Sequence, residues 1–238
     1  MDENPLFLRS FSIDWSAIDR DSYLMGLEAI RKLESLTFHR QITIFAGENG
    51  SGKSTLLEAL AVAWGFNPEG GTRNYAFSTY DSHSELHDAL HLVRSPIRPA
   101  WGYFLRAESF YNVATMEEEY RAIKSMRYHE KSHGEAFLAL VQENFRPEGI
   151  YFLDEPEAAL SPQRQLTLLM ELHRCARGSA QFIMVTHSPI LLGMPGAEIL
   201  SFDEGEIHPI AWEDTESYTV TSLFINSRER LLRRILDE

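Results

Sequence analysis

The stretch Ile42-Thr43-Ile44-Phe45-Ala46-Gly47-Glu48-Asn49-Gly50-Ser51-Gly52-Lys53-Ser54-Thr55 decides the fold of this chain of 238 residues. Its first five residues are apolar or β-branched, which predicts a buried strand. The segment from Ser54 to Trp64 is rich in leucine and alanine and predicts a helix. A strand, a glycine-rich turn and a helix in this order are the context in which a phosphate-binding loop occurs.

We refer to Gly47–Thr55 as the glycine loop. Glycines let the backbone wrap tightly around phosphate oxygens and direct its N–H groups toward negative charge. We expect Lys53 to act as a catalytic residue with its ammonium on the β- and γ-phosphates, and Ser54 to bind Mg²⁺ through its hydroxyl. The alternative is a simple turn between a strand and a helix. The residues of the loop assigned to nucleotide binding are Gly47, Asn49, Gly50, Ser51, Gly52, Lys53, Ser54 and Thr55.

Two carboxylates follow the apolar run Gly149–Leu153. A run without polar residues is typical of a central parallel strand that is covered on both faces. Asp154, at the end of this strand, is expected to reach the shell of Mg²⁺, and Glu155 is expected to face the γ-phosphate and handle water. An apolar run ending in Asp-Glu is common and by itself indicates only a strand end. Because this run follows the glycine loop in the chain, we favour binding of Mg²⁺ by Asp154 and activation of water by Glu155.

A second apolar run, Phe182–Thr186, leads to His187. Open parallel sheets collect ligands at the carboxyl ends of their strands, so His187 could donate a hydrogen bond to a γ-phosphate. Taken alone, the residue is better explained as a strand-end histidine at a turn forced by Pro189.

The segment Ser132-His133-Gly134-Glu135 has the form of a capping box and predicts a helix that runs to about Phe145. A well-capped helix would explain the pattern fully. The N–H groups at such a helix start can also bind the phosphate of a nucleotide held elsewhere.

The other patterns predict alternating strands and helices. Ser161 is expected to cap a helix with Pro162 at its first position, and Gly178 to end it. The remaining predicted elements are a strand at Leu6–Ile13, a helix at Leu24–Leu33, a strand near Leu36 and Phe38, a strand at Tyr103–Leu105, a hairpin of Ile199–Phe202 with Ile207–Ala211, and helices near Thr219–Phe224 and Ser227–Leu236.

Size and charge limit the function. A length of 238 residues suits a single domain, 1–238.

The net charge of −13 disfavours nucleic-acid binding unless the chain has a local basic patch. The best candidate for such a patch, Arg228–Arg234, has the spacing of a solvated helix face. Since no apolar run approaches the roughly 20 residues that a membrane span needs, we expect a cytoplasmic protein without membrane insertion. The single cysteine, Cys175, is expected to pack in the core.

Together these motifs resemble those of ABC-type ATPases. The likeness is closest to small stand-alone ATPases related to the nucleotide-binding cores of chromosome-maintenance and DNA-repair ATPases. It implies an α/β fold of the P-loop NTPase class and ABC-ATPase type. A mostly parallel core sheet would be flanked by helices, with an N-terminal antiparallel β region and a helical subregion near residues 109–147.

The resemblance also implies roles for single residues. Ser132 and Gly134 look like the signature motif, which contacts the γ-phosphate of ATP bound to the other subunit of a head-to-tail dimer. Glu155 resembles the catalytic base and His187 the switch histidine. Ala159-Leu160-Ser161 is similar to the loop that crosses between subunits.

Some positions depart from the family pattern. The signature has Ser-His-Gly-Glu where transporters have Ser-Gly-Gly-Gln, and Glu108 stands where a glutamine commonly approaches Mg²⁺, which makes it a candidate metal ligand. Residues 109–131 are too few for the coiled-coil arms of chromosome-maintenance ATPases. Tyr23 could stack on adenine, although an aromatic residue before a predicted helix is more often part of the core.

The sequence thus predicts Mg²⁺-dependent binding and hydrolysis of ATP, coupled to formation of an ATP-sandwiched homodimer. Two alternatives stay open. The chain could be the ATP-binding subunit of a membrane transporter, which the departures in the signature disfavour, or a non-hydrolysing nucleotide sensor that regulates a soluble effector partner.

Overall fold

A computed structural model describes residues 6–72, 85–106, 133–158 and 160–236. Its strands, in chain order, are β1 (Leu8–Ile13), β2 (Ser35–Thr37), β3 (Ile42–Ala46), β4 (Leu90–Arg94), β5 (Trp101–Arg106), β6 (Gly149–Asp154), β7 (Gln181–Val185), β8 (Glu198–Ser201) and β9 (His208–Pro209). Its α-helices are α1 (Glu28–Arg31), α2 (Lys53–Trp64), α3 (His133–Asn144), α4 (Pro162–Arg177), α5 (Pro189–Leu192) and α6 (Glu216–Leu236).

The larger sheet has the strand order β5-β6-β7-β3-β8-β9. Its first five strands are parallel, and β9 is antiparallel to β8. Every residue of β3 and β7 is buried, because helices cover both faces of these central strands. The predicted mostly parallel core sheet is thereby confirmed.

Two apolar clusters fill the faces of this sheet. One lies between the sheet and helices α3 and α4 and includes Phe137, Tyr151 and Leu168. The other surrounds helix α2 and includes Phe45 and Leu56. Cys175 is buried in the first cluster, as expected, and burial raises the pKa of its thiol.

The smaller sheet is antiparallel, with the order β2-β1-β4, and confirms the predicted N-terminal antiparallel region. The buried Gln181 side chain joins the two sheets. Its amide donates to the Leu8 carbonyl and its oxygen accepts from the Leu8 N–H, both at 2.8 Å. Since both groups are satisfied, this buried amide costs little and fixes how the sheets meet.

Two sequence predictions need correction, those for Leu24–Leu33 and for the Ser161 cap. The helix predicted for Leu24–Leu33 is a 3-10 turn, Tyr23–Gly26, followed by the short α1, because Leu27 between them has φ −84° and ψ 89°. The two predicted C-terminal helices, near Thr219–Phe224 and Ser227–Leu236, are confirmed: α6 is broken by a kink at Ser227, which has φ −138° and ψ 32°. Ser161 precedes α4 as expected, but its side chain makes no capping hydrogen bond.

The strand order brings the functional candidates to one edge. Because β6, β7 and β3 are neighbours and parallel, their carboxyl ends place Asp154, His187 and Gly47 side by side. No helix in the described ranges has the length and apolar content to cross a membrane.

Candidate nucleotide-binding site

The glycine loop connects β3 to α2, and its shape requires glycine. Gly47, Gly50 and Gly52 have φ values of 134°, 82° and 98°, a region that residues with a Cβ rarely adopt. A Cβ on Gly52 would lie 2.6 Å from Ile30 Cδ1, and one on Gly47 would lie 2.7 Å from Asp203 Oδ1. The loop is therefore closely packed on α1 at one end and on Asp203 at the other.

We expect Gly52→Ala to weaken nucleotide binding about tenfold or more, because the added methyl group collides with Ile30 and the positive φ is strained by about 1 kcal/mol. Titration with a fluorescent ATP analogue measures the effect. Gly196→Ala is the matched control, since Gly196 also has a positive φ, 77°, but nothing lies within 4 Å of its added Cβ. Equal affinity in the two variants would contradict a role for this packing.

Lys53 is buried inside the glycine loop. Its ammonium donates to the carbonyls of Gly47 and Glu48, at 2.8 and 2.5 Å, and to Ser51 Oγ at 3.3 Å. Burial lowers the pKa of Lys53, and nearby carboxylates, first among them Asp203, oppose that shift. The loop thus encloses one positive charge where phosphate oxygens would bind.

Ser54 and Asp154 meet beside this charge. The Ser54 hydroxyl donates to Asp154 Oδ1 at 2.8 Å, although the residues are 100 positions apart. A hydroxyl and a carboxylate oxygen are the hard ligands that Mg²⁺ prefers, with water and phosphate oxygens supplying the others. Within the described residues, no group of three or more His, Cys, Asp or Glu side chains could hold a metal ion. The pair fits Mg²⁺ that is held jointly by protein and nucleotide.

Glu155 and His187 face each other across the ends of β6 and β7. Glu155 has φ 47°, and its N–H donates to the Val185 carbonyl at 3.0 Å. The nearest atoms of the two side chains, Glu155 Oε1 and His187 Nε2, are 3.9 Å apart, which is too long for a hydrogen bond. Both side chains are partly exposed, although the His187 Nε2 atom itself is buried.

Asp203 is a site residue that the sequence did not reveal. It accepts a hydrogen bond from the Glu48 N–H at 2.8 Å and one from the Ser201 hydroxyl at 3.1 Å. Its carboxylate therefore anchors the first turn of the glycine loop. Its position just after β8, the neighbour of β3, is the signal for this role, but the sequence of Asp203–Glu206 alone predicts only a hairpin turn.

The other predicted residues are partly outside the described ranges. Ser132, Glu108 and Ala159 lie outside the described ranges, so their assignments stay predictions. Gly134 is buried near the start of α3, which packs on α4. Tyr23 is 60% exposed, so its interpretation as a core residue is wrong.

Two family models match parts of the chain. One, described as "AAA domain", matches residues 23–131. The other, described as "AAA domain, putative AbiEii toxin, Type IV TA system", matches residues 135–193. The first range contains the glycine loop, and the second contains Asp154, Glu155 and His187. No curated protein matches the chain in sequence.

The chain is also similar to solved structures. The SMC head domain from Thermotoga maritima is 16% identical, with a TM-score of 0.49, and the match covers 87% of this chain and 100% of that one. "A putative metal-chelate type ABC transporter" in an inward-facing conformation is 17% identical, with a TM-score of 0.46, and the match covers 91% of this chain and 89% of that one.

Proposed function

From the mostly parallel sheet, the glycine loop and the matches to two AAA-domain models, we propose that this chain binds ATP with Mg²⁺ and hydrolyses it. One observation carries the proposal. The hydrogen bond between Ser54 and Asp154 joins the glycine loop to the end of β6, beside the buried Lys53, and it supports the proposal that this pair would bind Mg²⁺. Nucleotide binding alone would need the loop but not this pair.

Different residues of the site have different roles in the proposed hydrolysis. The N–H groups of the glycine loop and the Lys53 ammonium bind the β- and γ-phosphates and neutralise their charge. Ser54 and Asp154 would hold Mg²⁺, which supplies further neutralisation of the phosphates. Glu155 orients a water molecule and accepts its proton while the water oxygen attacks the γ-phosphorus. The bond to the β,γ-bridging oxygen then breaks, and ADP and phosphate form.

His187 has a different role. Its Nε2 makes no hydrogen bond within the described residues and points toward Glu155. We assign it as a donor to the γ-phosphate. It would stabilise the charge that develops on this group without taking the proton itself.

The proposed site is completed by a second copy of the chain. In a head-to-tail dimer, Ser132 and Gly134 of the second copy would contact the γ-phosphate of an ATP bound by the first. The partial exposure of the Glu155 and His187 side chains is compatible with this arrangement. A soluble effector partner and a cytoplasmic location also belong to the proposal.

The experiment that tests the proposed function is phosphate release from ATP by the full chain as Mg²⁺ is titrated. We expect Ser54→Ala to raise the Mg²⁺ concentration for half-maximal activity about tenfold, because one metal ligand is lost. Ser35→Ala, at an exposed serine on β2, is the control. Tight ATP binding without phosphate release would instead support a nucleotide sensor.

A further inference from the structure

The side chain of Glu157 holds the turn that carries His187. Glu157 Oε1 accepts hydrogen bonds from two successive backbone N–H groups, those of His187 at 2.7 Å and of Ser188 at 3.2 Å. Hydrogen bonds to a carboxylate are about twice as strong as those between neutral groups. One oxygen bound to two neighbouring amides fixes both the position and the direction of the backbone at His187.

The same turn is tied to the Glu155 loop at two further points. The Glu155 N–H donates to the carbonyl of Val185, at the end of β7. Gln165, on α4, accepts from the Ser188 hydroxyl at 2.7 Å and donates to the Leu160 carbonyl at 3.0 Å. The loop that carries Glu155 and the turn that carries His187 are therefore one hydrogen-bonded unit.

We infer that Glu157 is a positioning residue that sets the place of the His187 imidazole relative to the Glu155 carboxylate. This inference rests on the proposed function. Reacting groups tolerate little displacement, and an error of about 1 Å can cost a factor of roughly 100 in rate. Both hydrogen bonds of the Glu157 side chain in the described residues go to the His187 turn, and none goes to the glycine loop. Glu157 thus acts on turnover and leaves ATP binding intact.

The first test compares variants of Glu157 in the full chain. Glu157→Ala is expected to lower kcat about tenfold or more, with the Kd for ATP within about twofold of the unsubstituted chain. Glu157→Gln keeps one acceptor oxygen and should lose only about threefold. Glu213→Ala, which removes an exposed carboxylate, is the control. An unchanged kcat in Glu157→Ala would overturn the inference, and if that variant does not fold, a Gln variant within 20% of full activity would do so.

The second test is a double-mutant cycle, which a merely structural role would not satisfy. If Glu157 acts through His187, the double variant Glu157→Ala/His187→Ala should have the kcat of His187→Ala within about twofold. Losses that multiply would overturn the inference. Absence of phosphate release from the unsubstituted chain would overturn the proposed function and the inference with it, whereas normal release with multiplying losses overturns the inference alone.

Discussion

Glu155→Gln is expected to lower the rate of ATP hydrolysis about 100- to 1,000-fold, because an amide cannot accept the proton of the attacking water. ATP binding should persist, since Lys53, Ser54 and Asp154 are unchanged and Gln has the shape of Glu. Single-turnover phosphate release and titration with a fluorescent ATP analogue measure the two effects separately.

Glu148→Gln is the matched control for this variant. Glu148 and Glu155 both have positive φ values, 57° and 47°, and they stand immediately before and after β6. The same substitution on the same kind of backbone thus tests whether the loss depends on the end of the strand that bears the site. Normal turnover in Glu155→Gln would remove the catalytic base from the mechanism.

The Glu155→Gln variant also tests whether a second copy of the chain completes the site. With hydrolysis blocked, Mg-ATP should hold the head-to-tail dimer, and the molecular mass in solution should double when the nucleotide is added. A monomer both with and without Mg-ATP would contradict the sandwiched dimer.

Lys53→Met is expected to weaken ATP binding about 100-fold, which corresponds to two lost charge-assisted hydrogen bonds of about 1.5 kcal/mol each. The ammonium lies within the loop that would hold the phosphates, and Met retains its length without the charge. Isothermal titration with Mg-ATP measures the change. Lys32→Met is the control, because Lys32 is an exposed lysine whose ion pair with Glu28 lies on the surface. An affinity within threefold of the original would exclude Lys53 from phosphate binding.

The pH dependence of the free energy of unfolding tests the direction of the Lys53 pKa shift independently of nucleotide binding. Because burial lowers its pKa below the unfolded value of 10.5, the unfolded chain binds more protons between these two values. The free energy of unfolding of the nucleotide-free chain should therefore rise, relative to that of Lys53→Met, as the pH increases through this window. Urea unfolding of both proteins along a pH series measures the difference, and a falling difference would contradict the assigned shift.

Local patterns predicted much of the central sheet. The β-branched run before Gly47 defined β3 to the residue, and the apolar runs before Asp154 and His187 defined β6 and β7 closely. Such runs are informative because a strand buried on both faces has no polar side to interrupt it. The region around α1 was harder, since its apolar residues have helical spacing but Leu27 leaves the helical conformation.

The sequence predicts the site residues whose own side chains would bind metal or phosphate. It does not predict the residues whose side chains hold the backbone of the site in place. The order of their motifs predicts that Ser54 and Asp154 serve one metal site, and their side chains are hydrogen-bonded to each other. The contacts that tie Asp203 and Glu157 to the site are with backbone N–H groups, at position 48 and at positions 187–188, far along the chain. Every residue except proline offers such a donor, so these contacts leave no mark in the sequence.

The contact between Gly52 and Ile30 makes two distant positions behave as one under substitution. Ile30 is fully buried, and its Cδ1 occupies the space that a side chain at position 52 would need. A shorter residue such as valine at position 30 would vacate part of that space, so the cost of a larger residue at 52 depends on what stands at 30. An aliphatic residue without polar atoms can therefore act as a genetic suppressor of a change in the nucleotide site.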